Sequence, residues 1–341
     1  MKILFVGTFE AKYSTHHSLI KEFKKRGHNF AKFDFRYLPS KYMRLKNHWY
    51  KKFKDYFYAF ISYRLNFPNI IRNLRFYLFG NWRMNKQLLN LVKSHSFDLI
   101  ILAKAENVNY KLIPKLNSYS KTFYYFMDPL EISHEINAHK YASLSTMCSA
   151  TTTVMTYLFK KSGGNSYYIL EGYDDDLFKP NKENPTKTFD VVFVGANFPI
   201  RKKYINFLRE NQINVNCFGP GWENEPIYFN DLVKLYRRSK IILNFPKEDS
   251  GFSDRVFHVM GTGSFILSLY CSDLPKIFKK EKHMDWFKSE EECLKLINYY
   301  LENDDLREKI SLEGHFYASK NFSWKKTVDK MLHIIEQNFS N

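Results

Sequence analysis

The chain is organised around residues 247–270, KEDSGFSDRVFHVMGTGSFILSLY. Their pattern predicts a loop, a short helix, a glycine turn and a buried strand. Apolar residues recur in the helix at a spacing of three to four, at Val256, Phe257 and Met260. Gly261 and Gly263 are expected to end the helix. The short apolar run at 264–269 is typical of a strand that a parallel sheet buries on both faces.

Arg255 is unusual in this stretch. Ser250 and Ser253 can each cap a helix, and if Ser253 is the cap, Arg255 lies in the first turn, at the positive end of the helix dipole. A cation there is unfavourable unless an anion occupies the same end, where backbone N–H groups and the guanidinium would converge on a phosphate. His258 lies one turn further on the same face. The alternative is an ordinary amphipathic helix whose arginine extends into water.

Composition bounds the remaining possibilities. A length of 341 residues predicts two domains, and 44% hydrophobic residues suffice for two cores. The net charge of +17 favours a polyanionic partner, namely nucleic acid, anionic lipid or a phosphorylated substrate. The alternative is a lysine-rich composition without functional meaning, because the abundant Lys, Asn, Phe and Tyr are typical of AT-rich coding.

Cysteine usage and hydropathy predict a cytoplasmic protein. The cysteines are scattered and form no CxxC pair, which argues against a zinc cluster or a disulfide scaffold: Cys148, Cys217, Cys271 and Cys293. The N-terminal MKILFVGTFE has too short an apolar run for a signal peptide. No stretch approaches the ~20 uncharged apolar residues that a membrane-spanning helix needs.

The first half opens as a doubly wound α/β domain. A strand at 2–9 that contains Gly7, a helix at 16–26 and a strand at 29–35 are predicted. GxGxxG is absent after the first strand, so no dinucleotide site is expected. The alternation continues with helices at 84–94, 110–116 and 131–141, and with strands at 99–103, 122–127, 151–155 and 167–170.

Asp128 follows the strand predicted at 122–127. Open α/β sheets bind ligands at the carboxyl ends of their strands, so Asp128 is a candidate base. The alternative is a helix N-cap with Pro129 at the first helical position, and the two roles can coexist.

Residues 37–83 are crowded with Tyr, Phe, Lys and Arg. They predict either a membrane or nucleic-acid surface or helices that pack on the sheet with lysines outside.

A polar segment separates the two halves. Residues 171–184, EGYDDDLFKPNKEN, are typical of a linker, and Asp174, Asp175 and Asp176 favour a cap and hinge over a metal site. The strand FDVVFVG at 189–195 then restarts the alternation. The predicted domains are 1–170, a hinge at 171–188, 189–320, and a C-terminal helix at 321–341 that packs back on the first domain. Two α/β halves and a hinge describe a two-lobed enzyme that closes over a cleft.

The second half resembles the nucleotide-sugar glycosyltransferases of GT-B fold, specifically the group 1, CgeB-like (spore-maturation-type) branch. Four pieces carry the resemblance over roughly residues 170–335: GYDDDLFKP, FDVVFVGANFPIRKKYINFLREN, FGPGW and GFSDRVFHVMGTGSFILS. The last is similar to the family core G-F-x-x-R-V-F-E-x-x-A-x-G-x-F-x-L. The resemblance implies two Rossmann-like doubly wound domains that face a cleft.

The resemblance also implies a donor site in the second half. Arg255 would hold the donor diphosphate, together with Arg201 or its neighbour Lys202. The remaining donor-binding residues would be Gly195, Asn197, Ser253 and His258, with a UDP-sugar as the most expected donor. His258 stands where the family has a glutamate that grips the ribose, and a neutral imidazole can accept one hydrogen bond there.

The acceptor side rests on a shorter similarity. TFYYFMDPL is similar to the strand and aspartate of phage DNA β-glucosyltransferases, where the aspartate is the base of an inverting transfer. This implies Asp128 as the base. Gly7 and Thr8 would line the acceptor side, and His16 is an alternative base or a structural residue. No metal and no cofactor are expected, because side chains and backbone N–H groups supply the positive charge.

These inferences predict a glycosyltransferase that moves a sugar from a nucleoside-diphosphate sugar to an acceptor hydroxyl in glycan or glycoconjugate synthesis. The acceptor would be a glycan or lipid-linked molecule, with possible peripheral contact at the inner face of the membrane. Two alternatives stay open. One is a phage-type enzyme that glycosylates DNA bases, and the other is a basic nucleic-acid-binding protein without catalysis.

Overall fold

The computed structural model describes residues 1–9, 14–35, 81–128, 130–181, 185–246 and 249–339. The chain forms two compact units, each built around a parallel sheet. The first domain comprises 1–150 and 156–167, and the second comprises 151–155 and 168–341. Most of the basic aromatic stretch at 37–83 lies outside the described residues, as do Pro129 and the beginning of 247–270.

The first domain alternates strands and helices, as predicted. Its strands are β1 Lys2–Gly7, β2 Asn29–Asp34, β3 Leu99–Ala103, β4 Lys121–Phe126, β5 Met147–Ala150 and β6 Ser166–Tyr168. Its described helices are α1 Thr15–Lys25, α2 Asn81–Ser94, α3 Ile113–Asn117, α4 Leu130–Ile136 and α5 Ala138–Leu144, with a 3-10 turn at Tyr110–Leu112. A further helix, α6 Thr153–Lys161, crosses the domain boundary.

The first sheet has the strand order β2-β1-β3-β4-β5-β6. β1 pairs in parallel with both β2 and β3, so that Ile3 lies opposite Phe30 on one side and Leu99 on the other. Every residue of β3 is buried, as expected for a strand covered on both faces. The order reverses between β1 and β3. The carboxyl ends of these two strands are therefore where such a sheet binds ligands.

Two predictions in this domain were wrong. A strand was expected at 151–155, but the strand in this region is β5, which ends at Ala150 and is buried along its whole length. Helix α6 then begins at Thr153. The hydroxyl of Thr152 accepts a hydrogen bond from the backbone N–H of Met155 at 3.1 Å, which favours a helix start over a strand. The helix expected at 131–141 is two helices, α4 and α5, because Asn137 between them has the left-handed φ of 54°.

The second domain repeats the architecture. Its strands are β7 Phe189–Val194, β8 Val215–Phe218, β9 Ser239–Asn244, β10 Ile266–Leu269 and β11 Asp285–Phe287. Its helices are α7 Pro199–Glu210, α8 Phe229–Arg237, α9 Arg255–Gly261, α10 Leu274–Ile277, α11 Glu290–Glu302, α12 Asp304–Asn321 and α13 Trp324–Phe339. The parallel sheet has the order β11-β10-β9-β7-β8, which reverses between β7 and β9. The three-residue β11 was not predicted from the sequence.

Both faces of the second sheet are covered. Successive residues of β9 enter different hydrophobic clusters, Ile241 on one face and Ile242 on the other, as the period of two in a strand requires. The predicted apolar stripe of α9 is buried in the cluster of Ile242. Gly263 follows α9 and has a left-handed φ of 71°, the conformation with which helices commonly end.

The first part of the predicted hinge is packed within the second domain. Tyr173 donates its backbone N–H to the carbonyl of Phe322 at 3.1 Å, and its own carbonyl accepts from Trp324 N at 3.0 Å. A Cβ at Gly172 would lie 2.5 Å from the backbone nitrogen of Trp324, which explains a glycine there. The hinge motion and the contact of the C-terminal helix with the first domain stay predictions.

Candidate active site

The carboxyl ends of β7 and β9 lie side by side in the second domain, because these strands pair in parallel with Phe193 opposite Leu243. Ligands of open α/β sheets bind at such a reversal of strand order. The loop that begins at Gly195 follows β7, and the segment that leads to α9 and Arg255 follows β9. The topology therefore brings together two of the sequence regions that were predicted to bind an anion.

Two arginines approach Gly195. A Cβ at this glycine would lie 2.8 Å from Nη2 of Arg255 and 3.2 Å from Nη1 of Arg201, and its φ of 151° is strained for other residues. Both guanidinium groups also contact the ring of Phe193, with Cζ at 5.4 Å from the ring centre for Arg201 and 5.3 Å for Arg255. We call Arg201 and Arg255 the arginine pair. The predicted donor residues Gly195, Arg201 and Arg255 thus lie together.

Arg201 is held by the backbone. It extends from the first turn of α7, is only 7% exposed, and donates from Nη1 to the carbonyl of Ala196 at 3.0 Å. Its Nη2 donates to the carbonyl of Phe245 at 3.3 Å, so this side chain links the ends of β7 and β9. Burial and, to a lesser extent, the neighbouring charge of Arg255 lower the pKa of Arg201 to about 10. The guanidinium still carries its charge at neutral pH.

Arg255 is held by side chains. Its Nη1 donates to Oδ1 of Asn244 at 2.7 Å and to the hydroxyl of Ser253 at 3.3 Å. Asn244, the last residue of β9, is completely buried and was not predicted as a site residue. A polar side chain at the end of an apolar strand was the available signal.

The predicted cap at Ser253 is wrong. Asp254 occupies the N-cap position of α9, and no side-chain oxygen caps the helix. The hydroxyl of Ser253 instead donates to Oδ1 of Asn244 at 3.1 Å, the same amide oxygen that accepts from Arg255. Since α9 has only seven residues, positive charge at this place comes mainly from side chains.

The charge of the arginine pair is not neutralised within the described part of the chain. None of the ion pairs among those residues includes Arg201 or Arg255. Nε of Arg201 is buried without a hydrogen-bond partner among the same residues. Two adjacent cations in a partly dry site bind an anion favourably, and guanidinium groups match phosphate oxygens well.

His258 lies against Phe178 from the predicted hinge. The two rings are stacked, with centroids 4.1 Å apart and an interplanar angle of 9°. Burial lowers the pKa of His258, although Asp254, with Oδ2 at 3.9 Å from Nε2, opposes the shift. The imidazole is therefore neutral at neutral pH and can accept a hydrogen bond. Phe178 was not predicted to contact this side chain.

The remaining two donor predictions differ in outcome. Asn197 is anchored to the turn after β8, since its N–H donates to the carbonyl of Pro220 at 2.9 Å and its Nδ2 to that of Gly221 at 2.9 Å. Trp222 of this turn packs edge-on against Phe193, 6.0 Å between ring centres. Asn197 therefore lies beside Gly195. Lys202 is exposed whereas Arg201 is buried, and no described contact joins Lys202 to the arginine pair.

The predicted acceptor residues gather at the end of β1 in the first domain. Nδ1 of His16 lies 3.2 Å from the backbone nitrogen of Thr8 and 3.1 Å from its carbonyl oxygen. A Cβ at Gly7 would approach the same Nδ1 to 2.9 Å. His16 is 6% exposed and also packs against Phe5. The three predicted residues are thus neighbours, and the backbone of Thr8 holds the ring of His16 at the end of β1.

Asp128 lies beside a lysine that the sequence did not single out. Nζ of Lys104 is 3.1 Å from each carboxylate oxygen of Asp128 and 3.6 Å from Oε2 of Glu106. Lys104 and Ala105 have the left-handed φ values of 62° and 49°, a strained conformation typical of functional sites. The alternative role of Asp128 as a helix cap depends on Pro129, which lies outside the described residues.

Two further features are limited to the described residues. Among them, no group of three or more His, Cys, Asp or Glu side chains could hold a metal ion. No helix in the described ranges has both the length and the apolar character to cross a membrane.

Comparison with known proteins identifies the architecture. Residues 201–333 match the family model described as glycosyl transferase-like. The structure of HepE from Anabaena with UDP and glucose superposes with a TM-score of 0.69 and 12% identity, over 99% of this chain and 100% of HepE. The chain has the GT-B glycosyltransferase fold. The GT-B protein WaaB, a lipopolysaccharide outer core galactosyltransferase, is similar with a TM-score of 0.64 and 11% identity over 99% of each chain.

Sucrose-phosphate synthase from Thermosynechococcus elongatus is a further neighbour, with a TM-score of 0.62 and 10% identity over 100% of this chain and 99% of that one. No curated protein sequence matches. The predicted GT-B fold is confirmed. The family match over residues 201–333 agrees with the prediction of a glycosyltransferase. The CgeB-like branch and the similarity to phage enzymes stay predictions.

Proposed function

We propose that this GT-B protein transfers a sugar from a UDP-sugar to an acceptor hydroxyl and that the second domain binds the donor. The arginine pair carries the proposal. Two guanidinium groups without a described carboxylate partner converge on Gly195, at the reversal of strand order where this fold class binds ligands. HepE has been solved with UDP and with UDP-glucose, which supports a uridine nucleotide as the donor.

The arginine pair would act on the leaving group. As the bond between sugar and diphosphate breaks, negative charge grows on the diphosphate. Preformed cations near Gly195 stabilise that charge without reorganisation. The carbonyls of Ala196 and Phe245 hold Arg201, and the side chain of Asn244 holds Arg255. Both guanidinium groups are therefore already ordered before the donor binds. Because these groups supply positive charge, the proposed transfer needs no metal ion.

His258 would contact the ribose. Its imidazole is neutral and can accept a hydrogen bond from a ribose hydroxyl through one nitrogen. Stacking on Phe178 fixes the plane of the ring. Asn197, which lies beside Gly195, and Ser253, which lies beside Arg255, complete the proposed donor side.

Asp128 would take the proton of the acceptor hydroxyl as general base. Nζ of Lys104 lies within 3.1 Å of both carboxylate oxygens and would orient them. His16, at the end of β1 beside Gly7 and Thr8, is the second candidate for this role. Both candidates lie at the carboxyl ends of strands in the first sheet, which supports an acceptor function for that edge.

The proposed acceptor is a glycan or lipid-linked molecule. WaaB is described as a lipopolysaccharide outer core galactosyltransferase, and the net charge of +17 favours an anionic acceptor or carrier. The same charge favours DNA as a second candidate, either as the acceptor of a base glycosyltransferase or as the partner of a protein without catalysis. If the acceptor is a glycan or lipid-linked molecule, we also expect peripheral contact of the protein with anionic lipid.

Donor turnover decides between enzyme and binding protein. The protein is incubated with UDP-glucose, UDP-galactose or UDP-N-acetylglucosamine, without acceptor and then with lipopolysaccharide core fragments or duplex DNA, and UDP release is measured. We expect slow hydrolysis of one donor and an increase with the glycan acceptor. An increase of UDP release with DNA but not with the glycan acceptor would support a DNA glycosyltransferase. A gel shift of duplex DNA without UDP release from any donor would contradict catalysis.

A further inference from the structure

We infer that Asn244 is a positioning residue that holds the Arg255 guanidinium for a phosphate while leaving its charge uncompensated. This inference rests on the proposed donor site and goes beyond it, because Asn244 touches no substrate group in the proposal. Asn244 ends β9 and is completely buried, and it belongs to neither the sequence predictions nor the similarity that suggested them.

The direction of each hydrogen bond fixes the orientation of the amide. The carbonyl of Leu269 can only accept, so the hydroxyl of Ser268, at 2.9 Å, donates to it. The oxygen of Ser268 then accepts from Nδ2 of Asn244 at 2.9 Å. With Nδ2 bound to Ser268 on β10, Oδ1 of Asn244 necessarily faces Arg255.

Oδ1 of Asn244 receives two donors on that side. Nη1 of Arg255 lies at 2.7 Å and the hydroxyl of Ser253 at 3.1 Å. These bonds use Nη1, whereas Nη2 is the atom nearest to a Cβ placed on Gly195. Asn244 therefore secures one end of the guanidinium and leaves the other directed to the proposed phosphate position.

A neutral acceptor matters at this position. An aspartate has the same shape as asparagine but would form a buried ion pair with Arg255 and compete with the diphosphate for its charge. The amide oxygen provides the geometry of a hydrogen bond without that competition. The inferred function of Asn244 is thus to orient a cation and to keep it available.

A purely structural role predicts something different. If Asn244 only joins β9 to β10 through Ser268, removal of the Ser268 hydroxyl should disturb the site as much as a change of Asn244. Ser268→Ala is therefore the matched control, since it removes the strand link but leaves Oδ1 of Asn244 beside Arg255.

The test compares affinities for UDP and uridine by titration calorimetry in the full-length protein. The variants are Asn244→Asp, Asn244→Leu and Ser268→Ala, all studied below their measured melting temperatures. We expect UDP to bind at least about tenfold more weakly to both Asn244 variants, since a hydrogen bond that holds a charged group is lost or replaced by an ion pair. Uridine, which has no phosphate, should bind them as it binds the wild type, and Ser268→Ala should retain UDP affinity.

Coupling to Arg255 gives an independent readout. In an Arg255→Ala background, the further change Asn244→Leu should not weaken UDP binding, because the group through which Asn244 acts is gone. Asn244→Leu is the variant for this comparison because it adds no charge beside the diphosphate.

The outcomes distinguish an error in the proposed donor site from an error in the role of Asn244. If the wild-type protein does not bind UDP, the proposed donor site is wrong. If the wild type binds UDP and the folded Asn244 variants bind it equally well, only the inference about Asn244 is overturned. It is also overturned if uridine affinity falls as much as UDP affinity, or if the Asn244 effect persists without Arg255.

Discussion

The guanidinium groups of Arg201 and Arg255 lie within contact distance of one ring, at 5.4 and 5.3 Å from the centre of Phe193. Like charges at such proximity disfavour each other, and the charge of Arg255 adds to burial in lowering the pKa of Arg201. The backbone carbonyls on Arg201 and the amide of Asn244 on Arg255 hold the two cations in place. An anion bound at Gly195 would relieve this repulsion.

Replacing Arg255 tests the leaving-group role. Arg255→Ala should lower kcat/KM for the UDP-sugar by an amount equivalent to about 2–4 kcal/mol, the usual range for a lost group that stabilises developing charge. Lys234→Ala is the charge-matched control, because this exposed lysine on α8 pairs with Asp231. Steady-state turnover and a thermal melt of each variant provide the measurement. Turnover of Arg255→Ala near the wild-type value would show that the diphosphate binds elsewhere.

Filling the space at Gly195 should have a similar but smaller effect. The added methyl of Gly195→Ala would lie 2.8 Å from Nη2 of Arg255 and 3.2 Å from Nη1 of Arg201, so both ends must move. We expect UDP affinity to fall about tenfold, equivalent to about 1.4 kcal/mol.

Gly263→Ala is a control for backbone strain alone. Its φ of 71° is also unfavourable for alanine, but its nearest neighbour is Pro180 at 3.4 Å. This variant should lose about 1 kcal/mol of stability without loss of UDP affinity. Equal UDP affinity for the wild type and Gly195→Ala in calorimetry would argue against a phosphate at this glycine.

The pH dependence of stability tests the state of His258. Burial lowers its pKa in the folded protein, so between the ordinary value of about 6.5 and that lower value the unfolded chain binds more protons. The free energy of unfolding should therefore fall as the pH drops below about 6.5. His258→Gln should flatten this fall.

Denaturant titrations at a series of pH values between neutrality and mild acid provide the measurement. His283→Gln should flatten the curve further, since burial also lowers the pKa of His283. An unchanged slope in His258→Gln would mean that His258 titrates alike in the folded and unfolded chain.

Changes at Asp128 should affect catalysis and leave donor binding intact. Asp128→Asn removes the proposed base, and we expect kcat to fall at least ~100-fold, the lower end for general bases. Lys104→Met should reduce kcat less, because it only frees the carboxylate from a contact at 3.1 Å. Calorimetry with UDP should give wild-type affinity for both. Normal turnover of Asp128→Asn would leave His16 as the base.

Periodicity and glycine spacing predicted much of the fold. The α/β alternation and the helix beginning near Arg255 follow from local sequence, because buried parallel strands and amphipathic helices leave patterns within a few residues. The strand expected at 151–155 was wrong because the apolar residues that form β5 precede it, while Thr152 stabilises the next helix. Local apolarity does not separate these alternatives.

The site was only partly predictable. Arg255 was identified because a cation at a helix start needs an explanation, whereas Arg201 and Gly195 were identified through the resemblance to GT-B glycosyltransferases. Asn244 and Lys104 were missed because their function depends on partners 11 and 24 residues away, Arg255 and Asp128. Such contacts follow from the three-dimensional fold, which a single sequence does not display.

Titration of the protein with UDP tests whether the arginine pair binds a diphosphate. The experiment compares the wild type with the double variant Arg201→Met, Arg255→Met, which keeps the bulk of both side chains and removes both charges. We expect saturable binding of UDP by the wild type, weakened by added salt, and loss of that binding in a folded double variant. Unchanged UDP affinity in the double variant would contradict this expectation.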